Sequence, residues 1–306
     1  MRVLLMDPYH EGELEVQRRA GVAENAARVG RIIRSDIPEV AREFLSEQPF
    51  AVLAGADEGE RVWATLVHGE PGFLTVSAEN VLQIAARPGR EDPLASRLDG
   101  EAELGVLVID LATRRRMRIN GHARPLGERG LEIAPREVYA NCPKYIQQRA
   151  VQREGGIPGG AVIRVERGSE LRELQTRRVA ASDTFFIASR HAAAGADASH
   201  RGGDPGFVRV EAPDRLRFPD YAGNAMFNTL GNLAADPRAG LLFVDFDQGS
   251  TLQLTGCAAV DWSRDAATRF PGAERVVEFS IDAVVETVGV LPLRAQLLSR
   301  SPHNPR

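Results

Sequence analysis

The chain has 306 residues, 43% of them hydrophobic and 26% charged, and 42 acidic against 38 basic residues leave a net charge of −4. That balance excludes a general attraction to nucleic acid or to an anionic membrane surface, and no apolar run reaches the roughly 18 residues that a membrane-spanning helix needs. Two distant cysteines, Cys142 and Cys257, offer no CxxC spacing for zinc and suggest no disulfide framework.

The start, MRVLLMDPYHEGELEVQ, turns acidic too soon for a secretory signal, so a cytoplasmic protein is expected. From Glu11 to about Arg34 an apolar stripe (Val16, Ala20, Val22, Ala23, Ala27, Val29, Ile33) predicts helix. A second helix should be capped by Asp36, with Pro38 in its first turn and Glu39 closing an Asp-x-x-Glu box, and should run to about Glu47. The segments FAVLAG, RVWATLVHG, GFLTVS and NVLQIAA are β-rich, and most are bounded by glycine, as strands are. LGVLVIDL is a continuous apolar run, the pattern of a strand buried on both faces. RRRMRINGHA alternates like a half-buried strand, and its arginines, Arg114 to Arg118, are expected on a solvated strand or turn edge. Residues 134–153 read as helical with a break at Pro143, and GGIPGG at 155–160 reads as a linker. TFFIAS, GFVRVEA, LRFPDY, AGLLFVDF and STLQLTGCAAVDW read as strands, and NAMFNTLGNLAAD as one helix.

The chain also repeats itself. LGVLVIDLATRRRMRINGHA (Leu104 to Ala123) lies over AGLLFVDFDQGSTLQLTGCA (Ala239 to Ala258) at an offset of 135, matching Gly105 with Gly240, Asp110 with Asp245 and Gly121 with Gly256. EPGF (Glu70 to Phe73) lies over DPGF (Asp204 to Phe207), and Trp63-Ala-Thr-Leu falls near Phe185-Phe-Ile-Ala. The shared order predicts two β-rich units of one fold, able to pack as an intrachain pseudo-dimer or to dimerise again. Ligand pockets form where such units meet.

The order TFFIAS, SHRGGDPGFVRV, LRFPDY, GNAMFNTLGNLAADPRAGLLFVDF, TLQLTG resembles the pyridoxamine 5'-phosphate oxidase-like family of FMN-binding split β-barrels. Leu233-x-x-x-Pro237-Arg238-x-x-Leu241-Leu242-Phe243 is its most recognisable stretch. The resemblance is best over residues 178–262 and weaker over 48–125. NCPKYIQ and SHRGGDPGFV look like a two-unit branch of that family. It implies a mainly β fold with helices: a duplicated split β-barrel with an N-terminal helical segment at 1–47, a first unit at 48–130, a helical connector and linker at 131–177, and a second unit at 178–306. It further implies FMN at the barrel interface and flavin-mediated hydride or electron transfer on a small molecule, with Thr184, Ser189, Asn228 and Thr229 near the phosphate and Thr251 and Gln253 beside the flavin. A non-catalytic flavin- or heme-binding protein, or a member that has lost flavin, is the alternative. Asn228-Thr229 stands where pyridoxamine phosphate oxidases carry Arg-Lys, and the ending PLRAQLLSRSPHNPR departs from their substrate motif, which sets the vitamin B6 reaction apart.

The residues themselves suggest an anion site. Ser199 offers a hydroxyl, Arg201 a fork of donors, and Gly202 and Gly203 an unhindered backbone that could form an anion nest or simply a turn leading to Phe207. His200 stands within the same motif and could donate to flavin or substrate, while His191 reads as a loop cap. Asn224 is a candidate cap for the helix carrying Asn228. Lys144 is the chain's only lysine among 38 basic residues. Placed in a helix's opening turn after Pro143, it opposes the dipole and makes sense beside a bound anion; a surface pair with an acid is the other reading. Cys142 beside it is a candidate nucleophile, helix cap or small core residue.

Overall fold

The computed structural model describes residues 8–140, 142–154, 164–289 and 291–305. Helices α1 (Glu11–Arg19), α2 (Ala23–Val29) and α3 (Glu39–Glu47) precede the first sheet, whose strands are β1 (Phe50–Ala56), β2 (Val62–His68), β3 (Leu74–Val76), β4 (Leu82–Ile84), β5 (Ala102–Asp110), β6 (Arg115–Leu126) and β7 (Gly130–Ala140). β8 (Gln148–Arg153), β9 (Arg164–Gly168) and α4 (Glu173–Ala181) follow. The second sheet holds β10 (Thr184–His191), β11 (Gly195–Gly202), β12 (Arg209–Ala212), β13 (Arg215–Tyr221), β14 (Arg238–Asp245), β15 (Ser250–Asp261) and β16 (Ala273–Val288); α5 (Asn228–Ala235), α6 (Arg264–Thr268) and β17 (Leu293–Ser299) complete the chain.

The duplication is visible strand by strand. The first sheet runs β2-β1-β5-β6-β7-β4-β3 and the second β11-β10-β14-β15-β16-β13-β12, the same order with each strand replaced by its counterpart. Register is kept as well: Gly105 faces Asn120 and Gly240 faces Thr255, 135 residues on at both positions. Each unit has a bulge at the same place, Asn120/Gly121 and Thr255/Gly256. A Cβ on Gly121 would lie 2.1 Å from the Ala134 carbonyl oxygen, and one on Gly256 1.9 Å from that of Ser280, so the bulge admits only glycine in both. The EPGF and DPGF turns are equivalent too, each closed by an N–H···O bond of 2.9 Å from its Phe. The pairing of Trp63 with Phe185 is corrected. Leu53 faces Thr65 and Ile187 faces Ser199, so Trp63 on β2 corresponds to Asp197 on β11, and the Phe185 strand corresponds to β1.

Three apolar clusters follow from strand alternation. Leu104, Val106 and Val108 of β5 fill the first barrel with Leu53 and Ile119. Phe185, Ile187, Leu241 and Phe279 fill the second. Leu107 and Ile109, on the other face of β5, meet Phe186 and Leu242 between the units. That is why LGVLVIDL is apolar throughout: one face serves a barrel and the other serves the seam. At the seam the backbones cross closely, and a Cβ on Gly105 would lie 2.6 Å from Asp197 Cα, one on Gly240 2.6 Å from Trp63 Cα.

Several local expectations are overturned. The helix expected over 11–34 is two helices broken near Gly21, whose φ is +71°. Asp36 does not cap α3; it pairs with Arg34 at 2.6 Å, and Pro38 takes the cap position. Residues 134–153 are not helical: β7 continues to Ala140, Lys144 and Tyr145 form a turn, and β8 follows. The ladder to β6, where Ile119 faces Val138, outweighs local helix preference, and β7 runs through the boundary expected at 130. The helix expected from Asn224 begins at Asn228, because Ala225 and Phe227 adopt φ of +66° and +62°. Asn224 instead accepts a hydrogen bond from the Met226 N–H at 3.1 Å. The linker expected at 155–160 lies outside the described residues. No helix among the described residues is long and apolar enough to cross a membrane.

Candidate functional site

A pocket of about 100 Å³ opens between the two units. β6 of the first unit contributes Arg116 and Arg118, which alternation puts on one face. β11 contributes Ser199, His200 and Arg201; the end of β13 contributes Asp220 and Tyr221; the start of α5 contributes Asn228 and Thr229. Lys144 and Tyr145 arrive on the connector turn. A Cβ on Gly202 would lie 2.1 Å from the Tyr145 carbonyl oxygen, so glycine here lets the connector cross β11 and carry Lys144 to the pocket. Gly203 is needed for a similar reason, since a Cβ there would lie 2.6 Å from the Phe207 ring. The anion-nest expectation is corrected accordingly: Gly202 sits in a strand, and both glycines serve packing.

The polar groups are only half matched. Arg118 is buried and donates to Asp197 at 3.0 and 3.1 Å, to Asn228 Oδ1 at 3.4 Å, and to Tyr139 and Ser199. Arg201 donates to Asp220 at 3.0 Å, and Asp220 also faces Arg275 at 3.6 Å. Yet Nε of Arg116, Arg118 and Arg201, Nη1 of Arg116 and both ring nitrogens of His200 are buried without a partner. Lys144 has no ion-pair or hydrogen-bond partner among the described residues. Buried donors left unmatched cost about 1–3 kcal/mol each, so such a concentration calls for a ligand. Four cations (Arg116, Arg118, Arg201, Lys144) face the carboxylates of Asp197 and Asp220, so the complement is an anion.

Titration behaviour agrees. Burial, then the nearby charges of Arg118 and Arg201, push Arg116 down to about 9, so an incoming anion relieves it while it stays charged at neutral pH. Burial works against the charge on Arg118 too, but Asp197 and Tyr139 outweigh it and its pKa ends raised. Burial and four surrounding arginines hold His200 well below the usual imidazole range, so it is neutral, with one donor and one acceptor to offer.

The N-terminal helices brace this site. Glu13 of α1 accepts from Asn228 Nδ2 at 2.6 Å and from the His10 N–H at 2.9 Å. Gly12 and Gly231 let α1 and α5 touch; a Cβ on Gly231 would lie 2.4 Å from Glu13 Cγ. Burial pushes Glu13 up to about 8. α5 has no side-chain cap, and Asn228, Thr229 and Leu230 of its first turn line the pocket.

Of the residues singled out from sequence, the pocket gathers Lys144, Ser199, His200, Arg201, Asn228 and Thr229. It does not gather the others. Ser189 is fully buried and its hydroxyl accepts from Asn232 at 3.0 Å. Thr184 lines a separate pocket with Arg149 and Asp183. Thr251 and Gln253 lie on β15, at the positions equivalent to Arg116 and Arg118. The duplicate site is built differently: Thr65, Leu66 and Val67 stand where the pocket has Ser199, His200 and Arg201. Asp92 fills it, accepting from Gln253 at 3.0 Å and from Thr65. One site is cationic and open; in the other these positions carry no cation and Asp92 plugs the space. Cys142 lines the open pocket.

Arg116 and Arg118 were missed because alternating arginines on a strand look solvated. The repeat held the signal: at offset 135 they lie over Thr251 and Gln253, the positions that the resemblance placed beside the flavin. His10, Glu11 and His191 bring possible ligand atoms within 4.8 Å of one another. However, Nδ1 of both histidines accepts backbone N–H bonds, so each Nε2 carries a proton, directed at Asn232 and Glu11. They form a hydrogen-bonded cap, which fits the reading of His191.

No family model and no curated relative matches this sequence. Solved structures do. A single-residue variant of HupZ from Group A Streptococcus is 10% identical, with 38% of this chain and 98% of that one covered at a TM-score of 0.32. A candidate pyridoxamine 5'-phosphate oxidase from Lactobacillus delbrueckii is 19% identical over 38% and 94%, also at 0.32. An FMN-binding protein from Syntrophomonas wolfei is 12% identical over 41% and 86%, at 0.27. The solved structures that this chain resembles thus include FMN-binding and pyridoxamine 5'-phosphate oxidase-like proteins.

Proposed function

We propose that the chain binds FMN at the inter-unit pocket and uses it for hydride or electron transfer on a small organic molecule. The observation that carries this reading is the set of unpartnered buried donors on Arg116, Arg118, Arg201 and His200 at the start of α5. A phosphate dianion matches them in charge and in hydrogen-bonding capacity. The 100 Å³ of the pocket suits the phosphate end of the cofactor, since whole-ligand pockets run about 300–1,000 Å³. Arg116, Arg201 and Lys144 would hold that phosphate with the N–H groups of α5. His200, neutral, would donate or accept one hydrogen bond. Tyr145 and Tyr221, whose ring centroids lie 4.9 Å apart, offer aromatic surface beside it. FMN when bound supplies the redox chemistry; the residues position it and shield it from water.

The test is titration of the purified protein with FMN, followed by desalting and an absorption spectrum, with hemin as the comparison ligand. Retained flavin bands and a tenfold or greater loss of affinity in Arg201→Gln support the reading. No retention of FMN, or a Soret band with hemin in its place, would sink it. Bleaching of bound flavin by NAD(P)H or a substrate separates an enzyme from a non-catalytic flavin binder.

A further inference from the structure

The connector turn that brings Lys144 to the pocket is held in a strained form. Of the six non-glycine residues with left-handed backbone among those described, Tyr145, Ala225 and Phe227 line the inter-unit pocket, and Tyr145 has a φ of +64°. A bulky side chain disfavours that region, and the conformation persists only where its surroundings over-determine it. Here the surroundings come from the segment after β17. Ser301 Oγ accepts from the Tyr145 N–H at 3.2 Å, and the Ser301 N–H donates to Gln147 Oε1 at 2.8 Å. Gln147 is fully buried, and its amide nitrogen donates to the carbonyls of Tyr145, at 3.2 Å, and Gly203, at 3.1 Å. Asn304 Nδ2 reaches Gln147 Oε1 at 3.2 Å and Asp204 Oδ1 at 2.9 Å, and Arg300 donates to Asp204 at 3.2 Å. The N–H of Tyr145 is thus fixed by Ser301, and its carbonyl by a glutamine that Ser301 in turn holds. Lys144 immediately precedes Tyr145, so these bonds decide where its ammonium stands. Residues 300–304 carry no large aliphatic side chain, so hydrogen bonds rather than apolar burial fasten them. Neither Ser301 nor Asn304 lines the pocket itself.

We infer that residues 300–304 form a strap that positions Lys144 for anion binding, with Ser301 as a positioning residue acting through Tyr145 and Gln147. The inference rests on the reading of the inter-unit pocket as an anion site, and it deepens that reading by adding a segment distant in sequence to the site. It holds whether the anion is a flavin phosphate or a free one.

The experiment exploits the single lysine. Reductive methylation with carbon-13 formaldehyde gives Lys144 its own side-chain NMR signal, apart from that of the terminal amine, and keeps its charge. Intact wild type and Ser301→Ala are compared without ligand and in titrations with inorganic phosphate and with FMN. Asn304→Ala, at a half-buried position, repeats the comparison should Ser301→Ala fail to fold. The wild-type signal should move on saturation with phosphate, and it should stand elsewhere in ligand-free Ser301→Ala. Ser301→Ala should weaken phosphate about fivefold or more, but by less than about twofold when Lys144→Gln is already present. A Lys144 signal unchanged by Ser301→Ala overturns the strap. The same loss of affinity in both backgrounds also overturns it, because Ser301 then acts on the fold alone. If phosphate moves the signal and FMN does not bind, the strap stands and the flavin reading fails. If FMN is retained while the signal stays put, the flavin reading stands and the strap fails.

Discussion

The two seams of this pseudo-dimer have the same strands, register and bulges, and opposite chemistry. At one seam Arg116, Arg118, His200 and Arg201 converge with donors to spare. At the other the equivalent positions are Thr251, Gln253, Leu66 and Val67, and Asp92 closes the space. A duplicated chain is free to let its halves diverge, whereas a homodimer must repeat every substitution at both sites. Fold and site are therefore separable. Backbone clearance requires Gly105 and Gly240 at the two seams and Gly121 and Gly256 at the two bulges, while the charged residues stand at one seam only.

Removing the central cation of the open seam should do the most damage. Arg118→Gln leaves buried Asp197 without its cationic partner and should lower stability by about 3–5 kcal/mol, read by denaturant unfolding. Gln253→Ala, the same position at the closed seam, should cost about 1 kcal/mol. A more modest effect, of a different kind, is expected at Arg116. It has no internal partner, so Arg116→Gln should weaken FMN tenfold or more, about 1.4 kcal/mol, while the ligand-free protein melts no lower than wild type. A lower melting temperature with unchanged FMN affinity would make Arg116 structural.

The brace between α1 and α5 gives a pH signature. Folded Glu13 keeps its proton to about 8, whereas the unfolded carboxyl releases it near 4.5. The folded state therefore binds more protons in that window. Stability is greatest below it and falls as pH rises through it, by at most about 1.4 kcal/mol per pH unit. Glu13→Gln should flatten this dependence in thermal melts from pH 5 to pH 8. The plug should respond least. Burial raises the Asp92 carboxyl above its ordinary range, so Asp92→Asn should change stability by less than about 1 kcal/mol and leave FMN affinity at the open seam untouched.

Much of the fold was legible because it is written in local pattern. Alternation and glycine-bounded apolar runs marked β1, β2, β5, β6, β10, β14 and β15, and the repeat marked the duplication. β7, β11 and β16 were not legible. β11 carries the buried polar residues Asp197, Ser199 and His200 and the half-buried Arg201, so it reads as a loop. Six candidate residues fall in one pocket: Ser199, His200, Arg201 and Lys144 were singled out for their donor chemistry, Asn228 and Thr229 through the resemblance. Lys144 reaches it on a turn and not on a helix. Arg116 and Arg118 escaped because a strand arginine shows its partner only once the other unit is docked on it.

Calorimetric titration of the intact chain with FMN puts the asymmetry between the seams to its sharpest test, through the stoichiometry. One FMN per chain is expected, falling out of measurable range in an Arg116→Gln, Arg201→Gln double variant. Two FMN per chain would contradict the asymmetry between the seams, and none would contradict the assignment of the cationic pocket to a flavin phosphate.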